Sequence, residues 1–422
     1  MALNRTHVRQ LLLAASTLAC ALTSGAAPAS AQGFTVSDWK PDSIHSAALN
    51  ETRYISIALP VGYDFSTMAN ERYPVVIVLD ESYGTMPMAS RILNARVLSG
   101  YTESLIPPAL IVSIQSGRTY VRDMTPPPVL GQPSPRAGRG GAPAFATFIA
   151  DELLPWLASR YRTSSYTIVD GHSLSGLFAA WIYGQRPDKI GAVLALSPTL
   201  MWSNEAYQQV LDGIRARKQP GRFFIAAGET EGTMIPGKVK QFLSDVARSP
   251  TPSTVILNEW YPHATHGQAS MLGFTDGLRA IFRPVELAGM GGFMSYKDVY
   301  LRELDRRRAA YIAAAPEFGL PPKLPMFFTL NQATTLATPD YKDLQSAIPV
   351  LCTELRTSYP GSWASPVCDG YARLTQHTCD AAASAFADGI RVAQQAGDSI
   401  GISYGRQGAA LVNEARGHSG CT

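Results

Sequence analysis

A serine hydroxyl becomes a useful nucleophile when it stands clear of the backbone and a base can reach it. The segment Asp170-Gly171-His172-Ser173-Leu174-Ser175-Gly176 is arranged to raise one in that way. The β-branched stretch at residues 166–170 reads as a strand, and the apolar run at residues 177–183 as a helix. Between them is a sharp turn with Ser173 at its tip, the pattern of a nucleophile elbow. Such a turn crowds its neighbours, and Gly171 and Gly176 are small enough for it; Ser175 stands where the pattern usually has glycine. The start of the helix also presents N–H groups to a developing oxyanion. The plain alternative is an ordinary strand-to-helix turn with a polar tip.

A base must follow. The chain has seven histidines: His7, His45, His172, His263, His266, His377 and His418. His7 lies in an N-terminal targeting pattern, His45 precedes the core, and His377 and His418 fall in a helical tail. His172 adjoins the serine and is expected to point the other way. His263 and His266 follow the nucleophile after a strand at residues 255–260. His266 lies deeper in the loop, before Gly267 and a helix reaching Phe282, and that loop can carry a base over the strand ends. His266 is therefore preferred to His263. The acid should leave the preceding strand, residues 222–227, where Glu229 and Glu231 lie in Gly228-Glu229-Thr230-Glu231-Gly232. Either could orient the imidazole, and position alone does not separate them. Asp188, Glu205, Asp212, Asp245 and Glu259 read as solvated charges on helices, loops or a strand interior.

The elements that hold these groups alternate. Residues 36–58 read as a strand pair, and residues 74–79, 109–114, 166–170, 192–196, 223–227 and 255–260 as core strands with helical patterns between them. That order predicts an α/β fold, a mostly parallel sheet with helices on both faces. Residues 125–143, rich in Pro, Gly and Arg, read as an irregular loop near the site. Phe282-Arg283-Pro284 and residues 289–292 mark a linker, after which helices are expected at 296–312, 326–337, 341–358, 363–375, 380–394 and 407–415.

Several segments, in order, carry a resemblance to a known family. They are Tyr73-Pro-Val-Val-Ile-Val-Leu79-Asp80, residues 106–114 with Arg122-Asp123-Met-Thr-Pro126, and Phe148-Ile-Ala-Asp-Glu152-Leu-Leu-Pro155. Ser197-Pro198-Thr-Leu-Met-Trp202 and Thr265-His266-Gly267 follow. Across residues 36–282 the chain resembles the esterase family of α/β-hydrolases that includes esterase D, enterobactin-type siderophore esterases and the mycolyltransferases. The resemblance implies an α/β-hydrolase fold, with Ser173 as nucleophile and His266 as base. Its G-x-x-E pattern, met by Gly228-Glu-Thr-Glu231, implies Glu231 as acid with Glu229 as the fallback. It implies an oxyanion hole from the N–H of Leu174 and one from Ser82, or from Glu81, which stands where the family has glycine. Trp202 would line the substrate pocket. Related proteins sometimes carry helical tails, and Tyr359-Pro-Gly-Ser-Trp363 resembles the turn of tetratricopeptide-type helix pairs, although Pro349 interrupts one helix.

Composition bounds the rest. In 422 residues, 46% are hydrophobic and 16% charged, enough for a large core. The expected division is a signal peptide at 1–31, a hydrolase domain at 32–285 and an all-helical domain at 286–422. A formal net charge of +3 without a Lys/Arg block excludes nucleic acid as the expected partner. No metal-ligand spacing or phosphate loop is present, so no metal or cofactor is expected. The partner of the helical tail is open. Arg5 and Arg9 precede an apolar run at residues 11–22, too short for a stable membrane span, and Ala29-Ser30-Ala31 offers a cleavage site before Gln32. Cys20 lacks the leucine three residues earlier that a lipoprotein would show. Export to a periplasm or beyond is the expectation. Cleavage would leave Cys352, Cys368, Cys379 and Cys421, all in the tail, an even number that favours two disulfides. Cys352 and Cys368 flank the 359–362 turn about equally, so a helix hairpin brings them level; Cys379 and Cys421 open and close the next pair. The expected activity is hydrolysis of a small carboxylic ester through an acyl-enzyme. Acyl transfer on the same residues is the alternative, and a non-catalytic binding protein a third.

Overall fold

Valine, isoleucine and tyrosine dominate the central run Tyr73–Val78 and recur in the other runs that pair into the sheet, because branched and aromatic side chains fit a pleated surface. The computed structural model describes residues 39–60, 62–79, 105–132, 137–290, 296–417 and 421. The expected signal segment, Glu81 and Ser82 lie outside them. Eight strands form one sheet: β1 (Trp39–Ser46), β2 (Glu51–Ala58), β3 (Tyr73–Val78), β4 (Leu110–Ile114), β5 (Thr163–His172), β6 (Ala192–Leu196), β7 (Gly221–Gly228) and β8 (Thr254–Tyr261). Their order is β1-β2-β4-β3-β5-β6-β7-β8. β1 and β2 run antiparallel, β2 is antiparallel to β4, and every pair from β4 to β8 is parallel. This is the mostly parallel α/β-hydrolase sheet.

Alternation along the strands divides the core in two. Val75, Ile77, Val169, Val193 and Phe223 face one side, where Phe178, Trp181 and Phe242 cover them. Val76, Val78, Ile168, Leu194 and Phe224 face the other, covered by Phe274, Leu278 and Ile281. The helices that frame the site are α1 (Tyr120–Met124), α2 (Leu174–Gln185), α3 (Asn204–Ala216), α4 (Met234–Arg248) and α5 (His266–Phe282). Because parallel strands share one direction, the turns leaving β5, β6 and β7 and the loop before α5 meet at one edge of the sheet, where such folds gather their chemistry.

Beyond residue 296 the chain is helical: α6 (Lys297–Ala314), α7 (Met326–Leu336), α8 (Ile348–Ser358), α9 (Ala364–Thr375), α10 (Cys379–Ala396) and α11 (Ser399–Gly417). The helix expected at 341–358 is a 3-10 segment, Pro339–Ala347, followed by α8. Pro349 sits in the first turn of α8, where its missing N–H costs nothing. The helix expected at 407–415 begins instead at Ser399. Glycines 401, 405 and 408 weaken its sequence signal, yet they let α11 close onto Trp363, Ile390 and Phe386.

The helical part shares the second core with the sheet, since Tyr300, Phe318, Trp363 and Phe386 belong to the same buried cluster as Leu194 and Phe224. Trp39 onward forms one compact unit. Phe318 packs edge-on against Tyr166 at 4.9 Å and Arg222 pairs with Glu317 at 2.9 Å. Fully buried Asp398 accepts the Ser66 N–H at 2.8 Å and the Trp363 indole N–H at 3.0 Å, tying α11 to the loop before β3. Two disulfides join Cys352 to Cys368 and Cys379 to Cys421, with Cα separations of 5.4 and 5.5 Å.

Candidate active site

Ser173 sits between β5 and α2 with φ 59° and ψ −116°, a backbone that L-residues rarely adopt. Strain of this kind costs about 1–3 kcal/mol and persists only where the surroundings impose it. The surroundings here are specific. The Ser173 N–H donates to the Leu196 carbonyl at 2.9 Å, and its own carbonyl accepts the Thr199 N–H at 2.9 Å. A Cβ at Gly171 would strike the Ser175 carbonyl, so only glycine fits that close approach. Ser175, in the place usual for glycine, accepts the His172 N–H at 2.9 Å and donates to the His172 carbonyl at 2.8 Å. Its N–H donates to the Tyr120 hydroxyl at 3.2 Å. The departure from the usual motif thus adds a hydroxyl that braces the turn.

Tyr120 opens α1, and charge pairs fasten that helix. Asp123, fully buried, pairs with Arg53 at 2.5 Å and Arg122 at 2.8 Å, and Arg122 also pairs with Glu51 at 2.6 Å. A buried carboxylate needs such partners, because unpaired it would be far less favourable than in water. The Arg122–Asp123 pair thus fastens α1, the helix that carries Tyr120, to Arg53 and Glu51 of β2.

His266 opens α5. Thr265 is its N-cap, and Thr265 and Gln268 cap each other reciprocally, which fixes the first turn. The His266 Nδ1 lies 2.6 Å from Glu231 Oε2. Glu231 Oε1 accepts the Ser197 hydroxyl at 2.6 Å and also the Gly228 N–H. Its side chain is 0% exposed, whereas that of His266 is 37% exposed. Burial pushes the Glu231 carboxyl up, but the hydrogen bonds from His266, Ser197 and Gly228 outweigh it, and the group ends below the usual carboxylate range. A carboxylate only accepts, so the proton lies on Nδ1 and Nε2 is left with its lone pair. Gly228 is required because a Cβ there would meet the Ala264 carbonyl of the histidine loop.

Several expected residues lie elsewhere. Glu229 is exposed and contributes its N–H to the Tyr261 carbonyl at 3.1 Å. His263 is exposed, with φ 68°. Asp188 pairs with Arg186 at 3.1 Å, and Asp245 accepts the Tyr207 hydroxyl at 2.6 Å. Leu174 is the first residue of α2, where a helix leaves its N–H without an internal partner. The Ser173 hydroxyl lies 3.3 Å from the Thr199 hydroxyl. Trp202 is half-buried, with the Arg139 guanidinium 4.9 Å above its ring. Gln209 of α3 donates to the Pro127 carbonyl at 2.8 Å, which sets Pro127 against α3. Among the described residues, no three His, Cys, Asp or Glu side chains gather as a metal site.

One expectation is overturned. His172 does not point away: its ring lies 4.2 Å from that of His266, and its Nε2 is 2.9 Å from the His266 carbonyl oxygen. Strand alternation holds only while the backbone stays extended, and the turn at Ser173 ends it. Ser197 was also missed as a partner of the acid. Its signal was the Ser197-Pro198 pair at the end of β6, beside the acid's own strand.

Comparisons with known proteins bear on the family and the fold. Residues 46–253 match the family model described as "Putative esterase". The chain is 30% identical over 178 residues to the ferri-bacillibactin esterase BesA of Bacillus subtilis, covering 38% of this chain and 60% of that protein. It is 38% identical over 79 residues to a siderophore enterobactin esterase of Emericella nidulans, covering 18% of this chain and 26% of that protein. The chain thus spans less than two thirds of either curated relative. Among solved structures it is similar to an IroE-like serine hydrolase from Shewanella oneidensis, with a TM-score of 0.59 and 23% identity, over 79% of this chain and 99% of that one. That last likeness speaks to the fold. Residues 46–253, which carry the elbow and most of the sheet, thus match the Putative esterase family over just under half of the chain.

Proposed function

We propose that this protein is an exported serine esterase that hydrolyses small carboxylic esters with Ser173, His266 and Glu231. The observation that carries the reading is the 2.6 Å bond between Glu231 and His266 Nδ1, made on the sheet edge where Ser173 stands in its strained turn. In this mechanism Ser173 Oγ attacks the ester carbonyl while His266 Nε2 takes its proton. Glu231 stabilises the imidazolium. The Leu174 N–H, with a second donor assigned by resemblance to Ser82, holds the oxyanion. His266 then protonates the leaving alcohol, and an acyl-enzyme remains. Water, losing its proton to His266, attacks that acyl group and frees the acid and Ser173. Hydrogen bonds of this type often tighten only with substrate present, so the Ser173–Thr199 contact describes a resting arrangement.

Substrate class follows from the relatives' names. Esters of ferri-bacillibactin and enterobactin type head the candidates, with Trp202 and the Arg139 loop as pocket walls. Export is supported by the N-terminal pattern and by two disulfides, which persist in oxidising compartments. The test is an ester panel on the mature protein: p-nitrophenyl acyl chains, feruloyl esters and ferric siderophore lactones. Hydrolysis lost in Ser173→Ala, with an unchanged circular dichroism spectrum, is the expected result. Near-wild-type turnover in that variant would place the nucleophile elsewhere. N-terminal sequencing of secreted protein should begin at Gln32.

A further inference from the structure

His172 occupies the last position of β5 and pairs with Leu196 of β6, so its backbone belongs to the sheet. The Ser175 hydroxyl fixes that backbone further, bonding both its N–H and its carbonyl. His266 belongs to no strand and opens α5, whose first turn the Thr265–Gln268 capping box holds. It follows a loop that includes the left-handed His263 and the exposed Thr265. Glu231 holds the His266 ring from Nδ1, but one hydrogen bond to a ring edge leaves rotation about it. The His172 ring adds a second hold on the ring and one on the main chain. Its Nε2 reaches the His266 carbonyl at 2.9 Å, and its face lies against the His266 ring with centroids 4.2 Å apart and planes 44° apart. A carbonyl only accepts, so His172 carries its proton on Nε2.

We infer that His172 is a positioning residue, a bridge from the rigid end of β5 that holds the main chain and ring of His266 in line with Ser173. The inference rests on the reading of Ser173 and His266 as nucleophile and base. His172 itself takes no proton from the serine, because its Nε2 is committed to the carbonyl. Its service is to remove freedom from the base. A small misplacement of a catalytic group lowers the chemical step far more than binding. The bridge therefore acts on kcat.

The test uses the full mature protein and p-nitrophenyl acetate. His172→Phe keeps the ring contact and loses the N–H donor; His172→Gln keeps an amide N–H at similar reach. Expected are a fall in kcat of about 10- to 100-fold in His172→Phe with KM within about twofold, and recovery of most of that loss in His172→Gln. Should Ser173→Ala be inactive while His172→Phe keeps kcat within about twofold of the wild type, the bridge is overturned and the nucleophile stands. Activity surviving in Ser173→Ala would instead overturn the underlying reading. Nitrogen NMR of 15N-histidine wild-type protein needs no variant to fold: an Nε2–H tautomer at His172 is expected, and an unprotonated Nε2 there would sink the proposal.

Discussion

The Ser197 hydroxyl donates to Glu231 Oε1 across 2.6 Å, from a backbone held at φ 42°. The strain and the bond belong together: the turn after β6 bends sharply enough to aim a small donor at the carboxylate that holds His266. A buried carboxylate bound by three donors stays ionised, which keeps the His266 proton on Nδ1.

Removing that hydroxyl should act through the acid. Ser197→Ala is expected to lower kcat/KM about tenfold, the worth of one hydrogen bond to a charged group. It should also alter the pH dependence of stability. Glu231 is depressed in the folded state, so it stabilises the fold above the ordinary carboxylate range and loses that effect as pH falls through its lowered value. Without Ser197 the depression shrinks, so the variant holds less of this stability above the ordinary carboxylate range and the difference from the wild type vanishes as pH falls through the lowered value. Thermal melts between about pH 3 and 6 should show a gap between variant and wild type that is widest at the upper end and closes on the acid side. Superimposable curves would deny Ser197 this role.

The two carboxylates after β7 can be separated by kinetics. Glu231→Gln should lower kcat about 10³-fold or more, because an amide can orient the imidazole in the wrong tautomer. Glu229→Gln, on the exposed side of the loop, should stay within about twofold. The reverse order would move the acid to Glu229.

The Asp398 bonds to Ser66, Thr67 and Trp363 predict that the helical part and the sheet unfold together. Asp398→Ala should cost at least about 2 kcal/mol in chemical denaturation, since it strands buried donors. One transition reported alike by far-UV circular dichroism and tryptophan fluorescence is expected. Two separated transitions would show that the shared core does not couple the parts.

The disulfides close loops of 16 and 42 residues. Each should stabilise the helical part by roughly 2–4 kcal/mol, so reduction should lower the melting temperature measurably. Peptide mapping without reduction should recover Cys352 with Cys368 and Cys379 with Cys421. A Cys368–Cys379 peptide would contradict this pairing.

Local chemistry made much of this protein legible from its residues. Tyr73–Val78 announces a strand because β-branched side chains suit a pleated surface, Ala192–Leu196 because a short apolar run is too brief for a helix, and their alternation with helices leaves few arrangements but a parallel sheet. The glycines around Ser173 announce the elbow because only they tolerate its crowding. What depended on contacts across the chain was not legible. Glu229 and Glu231 differ by two positions and are chemically alike; the curl of the loop after β7 buries one against His266 and Ser197 and turns the other to solvent. Strand periodicity sends His172 away from Ser173, and only the broken backbone at the elbow brings it to the His266 loop. The start of α11 was hidden because glycine disfavours a helix locally, while its missing side chain is what close packing on α10 requires. Propensity and motif act within a few residues of chain; the site and the helical packing were decided by distances between residues far apart in it.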